Sequence, residues 1–502
     1  MKRFLSLAVL LSSLILWSAC GDVFRPIIIP NPPQFPNPAA VHSVLTISDN
    51  GTVNSGVETP QVGSAMVIDV SGDTDVSQKN VGLVPVHAVQ QSASVVLVAN
   101  QAVPGSGQDS LSKLTYSAST IAFVASITLP SGSSPNFVAT TEASQVYVSL
   151  PQYVDPVSGS VVPSVGVVNT TLNSLAAVAS VGLNPVSIIE TPDTKKLYVA
   201  NSGTPANSST WTISAFTAGP NASLFPRAIC DPTGTVCPPP LSAQPIWLAA
   251  RSDSQQVYLL ESNGTLAFLT TSTTSGPDLL TETSISVPTA AYMWYDTILD
   301  RLYIPGESLI DGSLQPAVVI VDVSQTAPDI LSVVSMPTLP PSSRSSSDPC
   351  ASTSPGTLLT TSVTSLPDAS RAYVGSYYID SADNVCPQVT VINAANFTIK
   401  TNIAIPGFPD ATNPATPYYV PVCANTRDLV GPAGSGFRLN MGFGGDSSRA
   451  YLASCDGGMV NIIQTSTDTY YFNLPAPYSA RGPIPPSSES PPQNPVFLLS
   501  GP

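Results

Sequence analysis

Few residues of this chain could do chemistry. Beyond Cys20 there are six cysteines, Cys230, Cys237, Cys350, Cys386, Cys423 and Cys455, and only two histidines, His42 and His87. An even cysteine set in an exported chain reads as disulfides. Nearness along the chain suggests the pairs 230–237, 350–386 and 423–455 among the fifteen pairings that six cysteines allow. Metal ligation is the alternative chemistry, but no Cys-x-x-Cys pair occurs and no histidine is close to a cysteine in sequence, so no metal site is expected.

Other candidates are weaker. Asp69-Val-Ser-Gly-Asp-Thr-Asp75 is dense in carboxylates, but its spacing does not fit an EF-hand loop, and it reads as a solvated turn. Gly442-Phe-Gly-Gly-Asp446 is glycine-rich without a strand-to-helix setting for phosphate, so it reads as a structural turn. No Gly-x-Ser-x-Gly elbow with a partner histidine stands out, and no haem attachment motif occurs. Asn-x-Ser/Thr sequons such as those at Asn50 and Asn221 follow from composition. No cofactor is expected and no catalytic residue is assigned.

The first twenty residues read as an address. Lys2-Arg3 precede an apolar stretch from Phe4 to Trp17, then Ser18-Ala19 and Cys20. Residues 1–19 form a lipoprotein-type signal peptide, with Cys20 as the lipid attachment point. Ordinary signal cleavage nearby is the alternative. Residues 20–41 follow as an anchor and a proline-rich spacer, stiff and extended at about 3.1 Å per residue. The implied location is a bacterial cell envelope, periplasmic or surface-facing, with membrane attachment through lipid only.

The bulk of the chain, 42–502, must position whatever the ring of candidates does. The whole chain carries 10% charged residues, 51 prolines and a net charge of −15 with no basic patch, which disfavours nucleic acid as a partner. Short runs of Val, Ile, Thr and Tyr between turn residues point to all-β. One strand recurs: VVLVAN at 95–100, QVYVSL at 145–150, KLYVAN at 196–201, QVYLLE at 256–261, RLYIPG at 301–306, RAYVGS at 371–376 and RAYLAS at 449–454. Its central residues lie 50, 51, 60, 45, 70 and 78 residues apart. Each copy follows a polar turn and an earlier apolar run, often opened by proline as at Pro85, Pro135, Pro185 and Pro245, and precedes two more runs. The unit is four antiparallel strands, A to D. Such a sheet cannot cover its own faces, and a ring of them can.

These residues resemble the YVTN-type β-propeller repeat, which groups with surface-layer and lactonase-like propellers. The resemblance is carried by Val181-Gly-Leu-Asn-Pro185, by Leu197-Tyr-Val-Ala-Asn-Ser-Gly203 and by Val318-Val-Ile-Val-Asp322. It implies a propeller fold and leaves function open, since such rings host many activities. Residues 42–83 offer strands B, C and D of a further blade, and Asn494–Ser500 offers its strand A. The reading is therefore eight blades closed by both termini, with seven blades and extra terminal strands as the alternative.

In such a meander the A–B and C–D turns share one face, and the B–C and D–A connections share the other. Length variation and all six cysteines fall on the second face. His87, in a strand A, and Arg251 are the residues expected to contact the central channel. The favoured function is a non-catalytic binding scaffold presenting its long-loop face to an envelope protein or glycan. An exported lactonase-like hydrolase and a structural surface-layer component are the alternatives.

Overall fold

The computed structural model describes residues 43–49, 52–54, 57–59, 62–102, 108–141, 145–219, 222–272, 276–285, 287–290, 292–409, 420–421, 439–455, 457–475 and 494–500. Cys20, His42, Asn50, Asn221, Cys423, the leader and the spacer lie outside the described residues. No helix among the described residues is long and apolar enough to cross a membrane.

One turn, written repeatedly in the sequence, starts the blades. In Thr191–Lys196 the Thr191 N–H bonds to the Lys196 carbonyl, and Thr194 stands at φ 60°. The same closure recurs at Arg251–Gln256, Leu366–Arg371 and Gly444–Arg449, with Ser254, Ala369 and Ser447 at φ 62°, 55° and 59°. A non-glycine residue in this region is strained. The aspartate before each one offsets that strain by accepting a backbone N–H two residues on: Asp193, Asp253, Asp368 and Asp446 do so at 3.2, 2.9, 2.9 and 2.9 Å. This Asx turn sets the A–B hairpin.

Eight four-stranded antiparallel blades result, two of them extended by an extra short strand. Blade 2 consists of Pro85–Ser92, Val95–Asn100, Ser110–Tyr116 and Ile121–Thr128. Blade 3 consists of Val138–Ala139, Gln145–Leu150, Ser164–Asn169 and Ser174–Ser180. Blade 4 consists of Pro185–Glu190, Lys196–Asn201, Thr212–Ala218 and Leu224–Arg227. Blade 5 consists of Pro245–Ala250, Gln256–Glu261, Thr265–Thr270 and Asp278–Ser284, with Ile229–Cys230 added at its outer edge. Blade 6 consists of Trp294–Asp296, Arg301–Ile310, Ser313–Asp322 and Asp329–Ser335. Blade 7 consists of Leu359–Ser365, Arg371–Ile379, Asn384–Asn393 and Ile399–Ala404, with Phe408–Pro409 added against its third strand. Blade 8 consists of Leu439–Phe443, Arg449–Ser454, Met459–Gln464 and Thr469–Pro475.

Blade 1 is closed by both ends of the chain. Its strand A is Asn494–Ser500, and its strands B, C and D are Ser43–Asp49, Val62–Asp69 and Thr74–Leu83. Val44 pairs with Ser500 and Ile47 with Phe497. This is the eight-bladed reading, with the closure expected from the terminal strands. A small sheet of Thr52–Asn54, Val57–Thr59 and Val420–Pro421 lies off the blades and was not legible in the sequence.

Each junction between successive blades holds one apolar cluster. Between blades 3 and 4, Tyr147, Val165 and Val167 meet Ile188, Leu197 and Phe216. Between blades 8 and 1, Tyr451, Val460 and Ile462 meet Val44, Met66 and Ile68. Eight such clusters complete the circuit. Along strand B the period of two sends the motif tyrosine to the next blade and its neighbours to the previous one. Tyr147, Tyr198, Tyr258, Tyr303, Tyr373 and Tyr451 are all fully buried at this position. Burying a side chain of this class is worth about 1.5–3 kcal/mol, so repetition round the circle is a large part of what holds the ring.

Candidate functional site

The innermost strands carry a device that the repeat pattern hides. In blades 2, 4, 5 and 7 the A–B register slips just before one residue: His87, Ser187, Trp247 and Ser362. A bulge re-aims the side chain beside it. Counting two residues back from the partner of each motif tyrosine places Phe137, Tyr292 and Asn440 at the same position in blades 3, 6 and 8. In blades 2, 4 and 8 this residue is polar and bonds the following blade, whereas the Ser362 hydroxyl of blade 7 is buried without a hydrogen-bond partner. The Val138 N–H donates to His87 Nδ1 at 3.4 Å, the Leu248 N–H to Ser187 Oγ at 3.2 Å, and the Leu498 N–H to Asn440 Oδ1 at 2.9 Å. Inner-edge N–H groups that no sheet could satisfy are thereby paired.

Where the position is aromatic, rings meet. His87 stacks on Phe137 with centroids 3.9 Å apart and tilts against Phe497 at 4.8 Å. Phe137 meets Trp247 edge-on at 5.7 Å, and Trp247 meets Tyr292 at 4.8 Å. Rings from blades 1, 2, 3, 5 and 6 thus touch in one unbroken chain across the inner strands. They give the inner edge of these blades a shared aromatic surface.

His87 is therefore placed among the inner strands and is 7% exposed. Burial pushes its pKa down to about 3. Its Nδ1 accepts, so the neutral ring carries its proton on Nε2. A base near neutrality needs a free lone pair, and this one is occupied.

Arg251 lies elsewhere. It opens the A–B turn of blade 5, is 8% exposed, and is fully committed. Its guanidinium donates to both Asp253 oxygens at 2.9 and 2.8 Å, to Gln256 Oε1 at 2.9 Å, and to the Val323 and Gln325 carbonyls of blade 6 at 3.1 and 3.0 Å. It joins two blades on the short-turn face.

That role is general, and the residues that share it were missed in the sequence. In blades 4 to 8 a basic residue or glutamine stands two before the motif tyrosine and bonds the next blade, and the hydroxyls of Tyr198, Tyr258 and Tyr373 do so as well. Lys196 Nζ and Tyr198 Oη each lie 2.7 Å from Asp278 of blade 5, with Arg227 Nε at 3.3 Å. Burial raises the Asp278 carboxyl, but the bonds from Lys196, the Ser272 N–H and Tyr198 outweigh it and hold the group below the usual range. Arg371 and Tyr373 meet Asp468 of blade 8 in the same way. Arg449 meets Asp73 of blade 1. The readable signal was the spacing Lys196-x-Tyr198, Gln256-x-Tyr258, Arg301-x-Tyr303, Arg371-x-Tyr373 and Arg449-x-Tyr451. It also corrects the reading of Asp69–Asp75 as a solvated turn: Asp73 is 5% exposed and spent on Arg449.

The opposite face carries the long connections and the staples. Cys230 is bonded to Cys237, and Cys350 to Cys386. Cys455 is also disulfide-bonded, and its expected partner Cys423 lies outside the described residues. Segment 336–358 is held down along its length. Gln388 of blade 7 donates to the Pro337 carbonyl at 2.7 Å and accepts the Leu339 N–H at 2.9 Å. The Arg344 guanidinium, wholly buried, bonds Asp348 and the Ile405 and Pro387 carbonyls at 3.2, 2.8 and 2.9 Å. Asp348 in turn accepts the Cys350 and Gly407 N–H groups at 2.9 and 3.2 Å. Cys350, Asp380 and Cys386 cluster with metal-like spacing, but both sulfurs are used in the disulfide.

Comparisons with known proteins add the following. No protein-family model matches the chain, and no curated protein sequence matches it. Among solved structures, AztD of Citrobacter koseri is 11% identical, covering 92% of this chain and 99% of its own at a TM-score of 0.49. A protein from Lactobacillus plantarum is 13% identical, covering 74% of this chain and 96% of its own at a TM-score of 0.46. The periplasmic gluconolactonase of Pseudomonas aeruginosa is 12% identical, covering 72% of this chain and 96% of its own at a TM-score of 0.45.

Proposed function

We propose that this chain is a non-catalytic binding scaffold of the bacterial cell envelope, lipid-anchored through Cys20, that presents its long-loop face to a protein or glycan. One observation carries the reading, namely the division of the molecule's polar groups. On the inner edge and the short-turn face, His87, Ser187, Asn440, Lys196, Arg251, Arg371 and Arg449 are spent joining one blade to the next. On the other face, disulfides and the Arg344–Asp348 cluster hold irregular segments in fixed shapes, which suits recognition by a preorganised surface. The stiff spacer gives that surface reach.

The test places a photo-crosslinking residue in the full chain at Val157, 93% exposed in the B–C loop of blade 3, or at Leu172, 73% exposed on the opposite face. Envelope crosslinks from position 157 that are missing from position 172 support the scaffold. Equal or absent crosslinks at both, or turnover of a sugar lactone by the purified chain, overturn it.

A further inference from the structure

The end of strand B in blade 5 departs from its own repeat, and the departure creates an unmet need. In blades 2 and 4 this position is asparagine. The Asn100 amide nitrogen donates to the Val98 carbonyl at 3.0 Å, the Ser110 carbonyl at 3.3 Å and Ser112 Oγ at 3.0 Å. Asn201 repeats the pattern with the Val199 carbonyl, the Thr212 carbonyl and Ser214 Oγ, at 3.3, 3.3 and 3.0 Å. Around the amide nitrogen the pocket presents acceptors, and the amide supplies the protons, while in blade 2 its oxygen accepts the Gly82 N–H at 3.0 Å.

Blade 5 has Glu261 there, as its pairing opposite Pro245 shows, just as Asn100 pairs with Pro85 and Asn201 with Pro185. An ionised carboxylate supplies no proton. Glu261 is 0% exposed. Its Oε2 accepts from Ser242 Oγ at 2.7 Å and the Ala243 N–H at 2.6 Å, while its Oε1 is buried with no hydrogen-bond partner. The serine of the other blades, Ser112 or Ser214, is replaced by Ala267. Opposite Ala267, on the same face of the sheet, strand D brings a second carboxylate, Glu282. Glu282 Oε1 accepts the Ser242 N–H at 3.1 Å, and Ser242 Oγ lies 3.2 Å from Thr265 Oγ1. Among the described residues neither glutamate has an ion-pair partner. Two carboxylates therefore converge where blades 2 and 4 hold an amide donor.

We propose that Glu261 and Glu282, with the Ser242 and Thr265 hydroxyls, form a binding site for a hard divalent cation, Ca²⁺, on the long-loop face of blade 5. The donor set is all oxygen, which suits calcium and not the softer transition metals. The cation takes the place of the amide protons that blades 2 and 4 supply. Glu282 is exposed and gives an entry path, while buried Glu261 anchors the ion against Ser242 in the connection that carries the Cys230–Cys237 disulfide. The assignment stands independently of any partner on this face.

Calorimetric titration of CaCl2 into the chelator-treated full chain tests it. One saturable site per chain is expected, with Kd on the order of 10⁻⁴ M, the range of extracellular calcium modules. Glu282→Gln, a change of an exposed side chain, weakens binding by about tenfold or more as ligand charge is lost. Glu261→Asn restores the amide of blades 2 and 4, so it folds and loses the site. Asp311→Asn, at the exposed hairpin tip of blade 6, binds as the unmodified chain does. Absence of saturable binding in the unmodified chain, which leaves only a proton-sharing glutamate pair, overturns the proposal. So does equal binding by Glu282→Gln, or equal weakening by Asp311→Asn.

Discussion

Arg449 and Asp73 lie 376 residues apart in sequence and form a forked ion pair, with Arg449 Nε 3.0 Å from each carboxylate oxygen and Nη2 2.8 Å from Oδ2. The pair joins blade 8 to blade 1, so it closes on the short-turn face the same circle that Asn494–Ser500 closes through strand pairing. Only 18% of the arginine side chain and 6% of the aspartate is exposed. Removing one partner of a buried pair strands the other, at about 3–5 kcal/mol in the deepest settings. Arg449→Met is expected to lower stability by about 3 kcal/mol, read as the midpoint of urea denaturation. Adding Asp73→Asn to it recovers part of the loss. A double variant that is additive with the singles would show that the two residues do not act as a pair.

His87 gives the ring a pH dependence of known sign. Its folded pKa is about 3 against 6.5 in the free side chain, so the unfolded chain binds the extra proton between those values. Its contribution is complete above pH 6.5 and is lost as pH falls toward 3. At pH 4 the loss amounts to about 3 kcal/mol. His87→Asn keeps an acceptor for the Val138 N–H, as Asn440 does for Leu498, and cannot titrate. The difference between the two stability curves should therefore grow below pH 6.5 and be flat above it. Parallel curves would mean that the ring is not buried neutral.

What the sequence revealed and what it hid divide along one physical line. Contacts within a blade are local, and they were legible: the tyrosine strands, the polar turns that precede them, the proline-opened strand A of blades 2, 4 and 5 and the terminal strands of blade 1 fall where the repeat puts them, whereas Pro135 lies before the short strand Val138–Ala139. Contacts between blades join residues such as Arg251 and Val323, 72 apart, through elements whose own periodicity says nothing about their neighbour. Hence Arg251, expected at the channel, sits between blades on the turn face. The aromatic chain from Phe497 to Tyr292 was hidden for a further reason. Its members are aligned by bulges and by short strands such as Val138–Ala139, and a strict period-two reading passes over both.

The lipid anchor proposed at Cys20 has a direct test. Cys20→Ala removes the proposed acyl acceptor, so under this proposal the full chain moves from the membrane fraction to the soluble fraction of fractionated cells, and metabolic labelling with a fatty acid is lost. The ring itself does not depend on the lipid, and its melting profile should be unchanged. Continued membrane association in this variant would assign attachment to some other feature.

The two directly defined disulfides should differ in worth. In the chain-entropy account, stabilisation grows with the closed loop. Cys350–Cys386 spans 36 residues and Cys230–Cys237 spans 7. Replacing both cysteines of the longer loop with serine is expected to cost about 4 kcal/mol, and of the shorter about 2 kcal/mol. The first pair also ties segment 336–358 to strand C of blade 7, next to Arg344 and Asp348. Its loss should therefore open that segment to proteolysis at native temperature, while the Cys230–Cys237 variant stays resistant there. Urea midpoints give the ranking, and the cleavage sites give the place. A larger loss for the shorter loop would show that packing around Cys230, and not chain entropy, sets its contribution.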